Sequence, residues 1–363
     1  MLTRYTNIHV HMNIRKKLSN KIISHLLKNR INNRKLLRFY GWIYKILNIG
    51  YPYRQYYQKQ RQHFIPQFLL KNFKIGSDNL IYEYERGSQS PKKKSISREV
   101  ALEEDYYTAR DKQKEKSNFI EKEIFAELLE NFVPRIINHL KQSQNVDLTD
   151  FEESVLASFV AHQYTRTPAF REQVKNFILY LILIKNYKKE DLGNIEFIKN
   201  IIVRNELNIS LGELINFRKV NRATAQYAIY GAENHLILCS LLIGNYIAED
   251  IFRKNLHILE TRDPDHFFLS DNPVLIINIK NNEMDWPTGW DLKNDSIMIF
   301  LPISPRRCIF FCNRIRKGGR IERENDDFVK LVNLGLMFYA QRFLYSHIKT
   351  DTLQKEFNTT RNF

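Results

Sequence analysis

The chain has 363 residues, 43% of them hydrophobic and 13% aromatic, so it is large and apolar enough to bury one big core or two modest ones. Its three cysteines, Cys239, Cys308 and Cys312, are too few and odd in number for a disulfide framework and lie within apolar runs, which favours a reducing cytoplasm. The formal net charge of +16 is concentrated at one end, because residues 1–77 hold 16 of the 56 Lys and Arg residues and no acidic residue. A partner attracted by charge is therefore expected at the amino terminus.

The basic segment, residues 1–61, is predicted to form an amphipathic helical extension, because apolar residues recur at helical spacing from Asn13 to about Tyr57. Two interpretations stay open. In one, the extension binds nucleic-acid phosphates or an anionic membrane surface. In the other, it packs on the main domain and exposes its charges to solvent, or it results from a poorly chosen translation start. Its basic, acid-poor and amphipathic composition is also that of an organelle-targeting peptide. The binding interpretation assigns contacts to Arg15, Lys16, Lys17, Arg34, Lys35 and Arg38.

Residues 62–346 are predicted to form an α+β domain, with 347–363 as a C-terminal tail. After an alternating strand at 80–85 comes a largely helical middle section, with helices expected over 118–142, 149–166, 168–188, 194–206 and 221–247. Thr149 and Glu152 have the spacing of a capping box. Further strands are predicted at 257–260, 267–269, 274–277, 297–301 and 308–311, before a last helix over about 326–345. Strands near both ends should share one mixed or antiparallel sheet.

The two longest apolar runs, 177–184 and 236–243, have about half the length of a membrane-spanning helix. They are therefore predicted to be core helices, and no transmembrane segment is expected. The amino terminus has no apolar region followed by a small-residue cleavage site, which argues against secretion.

Several short motifs occur along the chain in a distinctive order. They are His63-Phe-Ile-Pro-Gln-Phe-Leu-Leu-Lys-Asn-Phe73, Glu104-Asp-Tyr-Tyr107, Glu121, Arg166-Thr-Pro168, Phe268-Leu-Ser-Asp-Asn-Pro273 and Leu301-Pro-Ile-Ser-Pro305. This series resembles the bacterial family catalogued as domain of unknown function 4238. The resemblance covers about residues 62–346 and implies a domain boundary and candidate positions, without an established activity.

Arg166 is the polar residue that is hardest to explain as surface, because it lies in line with Phe151, Val155 and Phe159 on a predicted helix. A buried guanidinium keeps its charge and needs an anion from the protein or from a ligand. Arg166 is thus either a clamp for phosphate or carboxylate or one side of a structural salt bridge to Glu121 or Asp271.

Glu121 and Asp271 each have a structural and a functional interpretation. Glu121 could close a capping box with Asn118, and Asp271 could form an Asx-turn before Pro273. Alternatively both carboxylates bind a divalent ion, magnesium or manganese, near Arg166.

His63 could act as a general acid or base, or be fixed by backbone hydrogen bonds. With Ile65 and Pro66 it resembles the start of a ββα-metal nuclease motif, but the next histidine is the distant His139.

Three other kinds of site lack residues that they require. Ser270 has no flanking glycines, as a serine hydrolase would need, and Gly318-Gly319 is not a phosphate loop. Cys308, Cys312 and His266 do not have the spacing of a zinc site.

The sequence therefore favours a metal-assisted hydrolase, a phosphodiesterase or nuclease, with His63, Glu121, Arg166 and Asp271 as its candidate catalytic residues. The alternative is a non-catalytic regulatory protein that binds nucleic acid or a membrane surface. A role in defence or as a toxin is compatible with either.

Overall fold

The structure is a computed structural model that describes residues 61–110, 116–117, 131–143, 145–173, 232–262, 264–280, 283–285, 292–313, 321–323 and 326–360. Its described helices, in chain order, are α1 (Gln67–Lys71), α2 (Val133–Gln142), α3 (Asp150–Thr165), α4 (Ala232–Phe252), α5 (Asp326–Tyr339) and α6 (Asp351–Thr359).

Fourteen strands lie in the same ranges. The first six, all before α2, are β1 (Arg61–His63), β2 (Leu80–Glu85), β3 (Lys92–Ser95), β4 (Leu102–Glu104), β5 (Ala109–Arg110) and β6 (Lys116–Ser117). The others follow α4 and are β7 (Asn255–Glu260), β8 (Leu269–Ser270), β9 (Leu275–Lys280), β10 (Glu283–Asp285), β11 (Ile297–Pro302), β12 (Arg307–Cys312), β13 (Ile321–Arg323) and β14 (Phe343–Ser346).

Two sheets carry most of the pairing. A four-stranded antiparallel sheet has the order β3-β2-β14-β8 and joins strands from both ends of the domain, as predicted. A six-stranded sheet has the order β10-β9-β11-β12-β7-β13 and is mixed, because β13 runs parallel to β7. The second sheet was not predicted: its strands from β9 to β13 pair with one another and with β7 and do not join β2 and β3. The α+β class is confirmed.

Helix α3 lies at the centre of the domain and packs on α4. Its start follows the local sequence: Thr149 Oγ1 accepts from the Glu152 amide at 3.3 Å, and Glu152 accepts from the Thr149 amide at 2.9 Å, which confirms the predicted capping box. The two helices approach each other closely at Gly244, where an added Cβ would lie 2.9 Å from Thr165 Oγ1. The glycine thus permits the close contact of the two helices.

The last predicted helix, over 326–345, was too long. Helix α5 ends at Tyr339, and residues 343–346 form β14, which pairs with β2 and β8. The helix stops because the Asp271 carboxylate accepts from the amides of Gln341, Arg342 and Phe343, which diverts the backbone from helical bonding.

The segment 347–363, set apart above as a tail, contains α6. Its side chains Leu353, Gln354 and Phe357 are buried against the turn that follows β2. The predicted helix 118–142 is described from residue 131 and contains α2, and the predicted helix 221–247 is described from residue 232 and contains the first part of α4. The predicted helix 168–188 is described only over 168–173, and 194–206 lies outside the described residues together with the extension 1–60. None of the helices in the described ranges is long and apolar enough to cross a bilayer.

Candidate functional site

Arg166 ends helix α3 and points inward, with 2% of its surface exposed, as the helical stripe predicted. Its Nε and Nη2 atoms donate to Gln163 Oε1 at 2.9 and 2.6 Å. Its guanidinium carbon lies 5.9 Å from the centre of the Phe159 ring. The structure therefore places a permanent positive charge at the buried end of α3, with a neutral amide as one of its partners.

Gln163 connects this charge to strand β1. Its side chain is fully buried, and its Nε2 atom donates to the carbonyl oxygen of Phe64 at 3.0 Å. The same amide group accepts from Arg166 through Oε1, so one side chain bridges the end of α3 and the residue after His63. The sequence analysis did not single out Gln163, although it lies four residues after Phe159 on the inward face of the helix.

His63 is half-buried at the end of β1, where it pairs with Leu102 of β4. Its Nε2 atom lies 3.0 Å from the carbonyl oxygen of Ile96. A carbonyl can only accept, so Nε2 carries the hydrogen and the lone pair of the neutral ring is on Nδ1. Burial lowers the pKa of His63, the bond to Ile96 opposes this, and the nearby charge of Arg166 adds to the lowering. The ring is therefore neutral at pH 7.

His162 lies one turn before Arg166 and is also buried, with 1% of its surface exposed. Its Nδ1 atom is 2.8 Å from the carbonyl oxygen of Ser158. Burial lowers the pKa of His162 to about 4. This second histidine is thus a neutral part of the contact between α3 and α4.

Asp271 has a structural role that the geometry makes plain. Its Oδ1 accepts from the Gln341 amide at 2.9 Å, and its Oδ2 accepts from the amides of Arg342 and Phe343 at 2.7 and 2.9 Å. Three backbone donors occupy both oxygens of a carboxylate that is 5% exposed. Asp271 therefore fixes the turn between α5 and β14.

The loop that contains Asp271 also reaches the end of α3. Thr167 Oγ1 lies 3.4 Å from Asn272 Oδ1, and Ser270 Oγ donates to the Asn272 carbonyl oxygen at 2.7 Å. Ser270 is thus occupied in a turn, consistent with the argument against a serine hydrolase.

Tyr106 brings a third segment to the same place. Its hydroxyl donates to the carbonyl oxygen of Arg166 at 2.9 Å, and burial raises the pKa of that hydroxyl. The Arg171 guanidinium lies 3.2 Å from the centre of the Tyr106 ring and donates to the Tyr106 carbonyl oxygen at 2.5 Å. Motif residues that are far apart in the chain, around 63, 106, 166 and 271, therefore meet at the carboxyl end of α3.

Two sets of predicted site residues lie outside the described ranges. Glu121 is one, and the six basic residues assigned to the extension, Arg15, Lys16, Lys17, Arg34, Lys35 and Arg38, are the other. Within the described ranges, no group of three or more His, Cys, Asp or Glu side chains is placed to hold a metal ion. Cys308 and Cys312 are buried in β12, and burial raises the pKa of the Cys308 thiol, so Cys308 is not an activated nucleophile.

Comparison with known proteins agrees with the motif series. No curated protein and no solved structure matches the chain. A family model described as "Protein of unknown function (DUF4238)" matches residues 61–350, which is most of the chain and includes all the motif residues discussed above. The chain therefore belongs to the DUF4238 family, as the motifs in the sequence predicted.

Proposed function

We propose that the chain is a hydrolase that cleaves phosphodiester bonds in nucleic acid with the assistance of a divalent ion. The observation that carries the proposal is a neutral His63, whose Nε2 is held by the Ile96 carbonyl oxygen and whose lone pair is on Nδ1, within electrostatic range of the buried positive charge of Arg166. A base that is unprotonated at neutral pH and a fixed cation nearby are the two protein groups that phosphodiester hydrolysis needs.

In the proposed reaction, His63 Nδ1 takes a proton from water, and the resulting hydroxide adds to phosphorus. The bond from phosphorus to the leaving oxygen breaks, and solvent protonates the leaving oxygen. Arg166 stabilises the negative charge that develops on the non-bridging oxygens. Hydroxide thereby replaces the alcohol on phosphorus, and His63 returns its proton to solvent.

Glu121 would hold the divalent ion, magnesium or manganese, and the ion would supply further positive charge at the phosphoryl oxygens. Asp271, the other predicted ligand, has both oxygens bound by backbone amides. We therefore assign Asp271 to positioning the 270–273 loop beside Arg166.

The choice of nucleic acid as substrate is supported by the charge distribution. The 16 basic residues in 1–77 are not offset by any acid there. Such a segment attracts phosphates, and its affinity should fall steeply with salt. Two buried free cysteines are compatible with work in the cytoplasm, where we propose that the protein acts.

The test is cleavage of mixed DNA and RNA substrates by the full chain with magnesium or manganese. His63→Gln should abolish cleavage, because its amide can still donate to the Ile96 carbonyl oxygen but has no basic nitrogen. His139→Gln, at an exposed position on α2, is the matched control and should retain activity. Equal activity in both variants would exclude His63 as the base.

The second candidate function is non-catalytic binding to nucleic acid or to an anionic membrane surface, in a regulatory or defence role. The basic extension favours it independently of His63. The variant with Arg15, Lys16 and Lys17 all changed to Gln should bind nucleic acid more weakly and with a smaller salt slope. The matched control changes three exposed lysines, Lys330, Lys349 and Lys355, to Gln. Binding without cleavage by the wild-type chain would favour this second function.

A further inference from the structure

Gln163 takes no part in the chemical steps of the proposed reaction. It is fully buried, and all three of its hydrogen bonds go to elements that carry His63 and Arg166. The donor Nε2 holds the Phe64 carbonyl oxygen at 3.0 Å, and the acceptor Oε1 holds two guanidinium nitrogens. A buried amide with both ends bonded has one low-energy orientation.

We propose that Gln163 is a positioning residue that fixes the Arg166 guanidinium relative to the strand that carries His63. Gln163 joins α3 by a side-chain hydrogen bond to Phe64, which follows β1 and His63 directly in the chain. The catalytic consequence of this inference rests on the proposed function, but the arrangement itself does not.

The amide is suited to this role for a physical reason. An acid at position 163 would bind Arg166 more strongly but would carry no hydrogen for the Phe64 carbonyl oxygen, and it would offset the positive charge. A neutral glutamine orients the guanidinium without neutralising it. The positive field of Arg166 at His63 is therefore retained.

The test is the titration of His63 by NMR of the full chain labelled on its histidine rings, with His63→Gln to identify the signal. Gln163→Glu should raise the pKa of His63 by about 0.5–1 pH unit, because the new carboxylate offsets the Arg166 charge. Gln142→Glu adds the same charge at an exposed position on α2 and should leave the His63 titration unchanged. An unchanged His63 titration in folded Gln163→Glu would overturn the inference.

Gln163→Met provides a second variant, since it keeps the side-chain length but removes all three hydrogen bonds. We expect the His63 pKa to rise in this variant as well, by less than in Gln163→Glu. If neither variant folds, the wild-type chain still provides a measurement: the Gln163 side-chain amide protons should exchange slowly with solvent. Fast exchange would contradict the bond to Phe64 and with it the inference.

The catalytic consequence has a separate readout. If the wild-type chain cleaves nucleic acid, Gln163→Glu should lower kcat at pH 7 more than it changes KM. The acidic limb of its pH-rate profile should move to higher pH by the same amount as the NMR titration. Absence of cleavage by the wild-type chain would contradict the proposed function. The NMR titration would still test whether Gln163 positions Arg166.

Discussion

Glu83 is a carboxylate whose protonation is coupled to folding. It lies on β2 directly opposite Tyr345 of β14, which is fully buried. Burial raises the pKa of Glu83 to about 7, the charge of Lys94 opposes the rise, and Glu85 and Glu99 add to it. The folded chain therefore holds a proton on Glu83 at pH values where the unfolded chain has released it.

We expect the free energy of unfolding to fall as the pH rises from about 4.5 to about 7. In this range Glu83 is protonated in the folded chain and ionised in the unfolded chain, so a rise in pH favours the unfolded chain. Glu83→Gln should remove this part of the pH dependence. At pH 8 the variant should be more stable than the wild type by roughly 1–3 kcal/mol, after allowance for solvent screening of a half-buried group. Urea unfolding at several pH values measures the effect.

Glu85→Gln is the control for this measurement. Hydrogen bonding to Arg342 lowers the pKa of Glu85, so its contribution to stability is present above pH 4.5 and is lost as the pH falls. The Glu85 variant should keep most of the decline between pH 4.5 and 7, because burial is the main cause of the raised Glu83 pKa and the charge of Glu85 is a smaller one. A decline that persists in Glu83→Gln would show that another group causes it.

The stability of an Asp271 variant distinguishes a structural role of this carboxylate from a role in metal binding. Asp271→Asn should lower the free energy of unfolding by about 2–4 kcal/mol, because an amide cannot accept from all three backbone donors that the carboxylate now binds. A carboxylate held mainly for metal binding would give the opposite result, since its replacement relieves repulsion. Chemical denaturation without added metal distinguishes the two, and Asp147→Asn, at an exposed position, is the control.

At the scale of elements, the contact between α3 and α4 depends on Gly244. Gly244→Ala should destabilise the protein by about 1–2 kcal/mol, although alanine favours a helix, because the new methyl group would lie 2.9 Å from Thr165 Oγ1 and 3.0 Å from His162 Cδ2. The double variant with Thr165→Ala should recover part of this loss, which a double-mutant cycle in urea measures. A stability equal to or above that of the wild type would mean that the helices separate without cost.

Elements whose signals are local were predictable from the sequence. The Thr149 capping box and strand β2 each follow from a few neighbouring residues, and the inward orientation of Arg166 follows from the stripe of Phe151, Val155 and Phe159 on the same helix. The end of α5 was not predictable in this way, because it is set by Asp271, about 70 residues earlier in the chain. The helical spacing of apolar residues continues past Tyr339, but the Asp271 carboxylate binds the next backbone amides and ends the helix there.

The same distinction applies to the candidate site. His63, Arg166 and Asp271 stood out because each is an unusual residue for its local pattern. Gln163 did not, because a glutamine within a helix is ordinary until its partner is known, and that partner, Phe64, is 99 residues away. A structural role for Asp271 was predicted as an Asx-turn, but its partners were not predictable, since all three donors are backbone amides about 70 residues later in the chain.

At the scale of the whole molecule, α6 joins the end of the domain to its beginning. Arg86, just after β2, donates to the Phe357 carbonyl oxygen at 2.6 Å, and its guanidinium lies 4.0 Å from the Phe357 ring. Gln354 Nε2 donates to the Glu85 carbonyl oxygen at 3.0 Å. These contacts tie α6 to the four-stranded sheet.

Phe357→Ala should therefore destabilise the whole domain by about 3–5 kcal/mol, since a fully buried ring is lost. Circular dichroism and tyrosine absorbance should report the same urea midpoint, because the helix and the sheet unfold together. Glu356→Ala, at an exposed position on the same helix, is the control. Two separate midpoints would indicate that α6 detaches before the sheet unfolds.

The order β3-β2-β14-β8 has a consequence for synthesis of the chain on the ribosome. Strand β2 leaves the ribosome early, but its partner β14 is made about 260 residues later, roughly 10–50 s at about 5–20 residues per second. During that interval one edge of β2 has no partner strand, and the β2–β3 hairpin is exposed to pairing with other nascent chains. The protein should therefore depend on chaperones that cover strand edges, and its yield should fall when translation is slowed between residues 95 and 343.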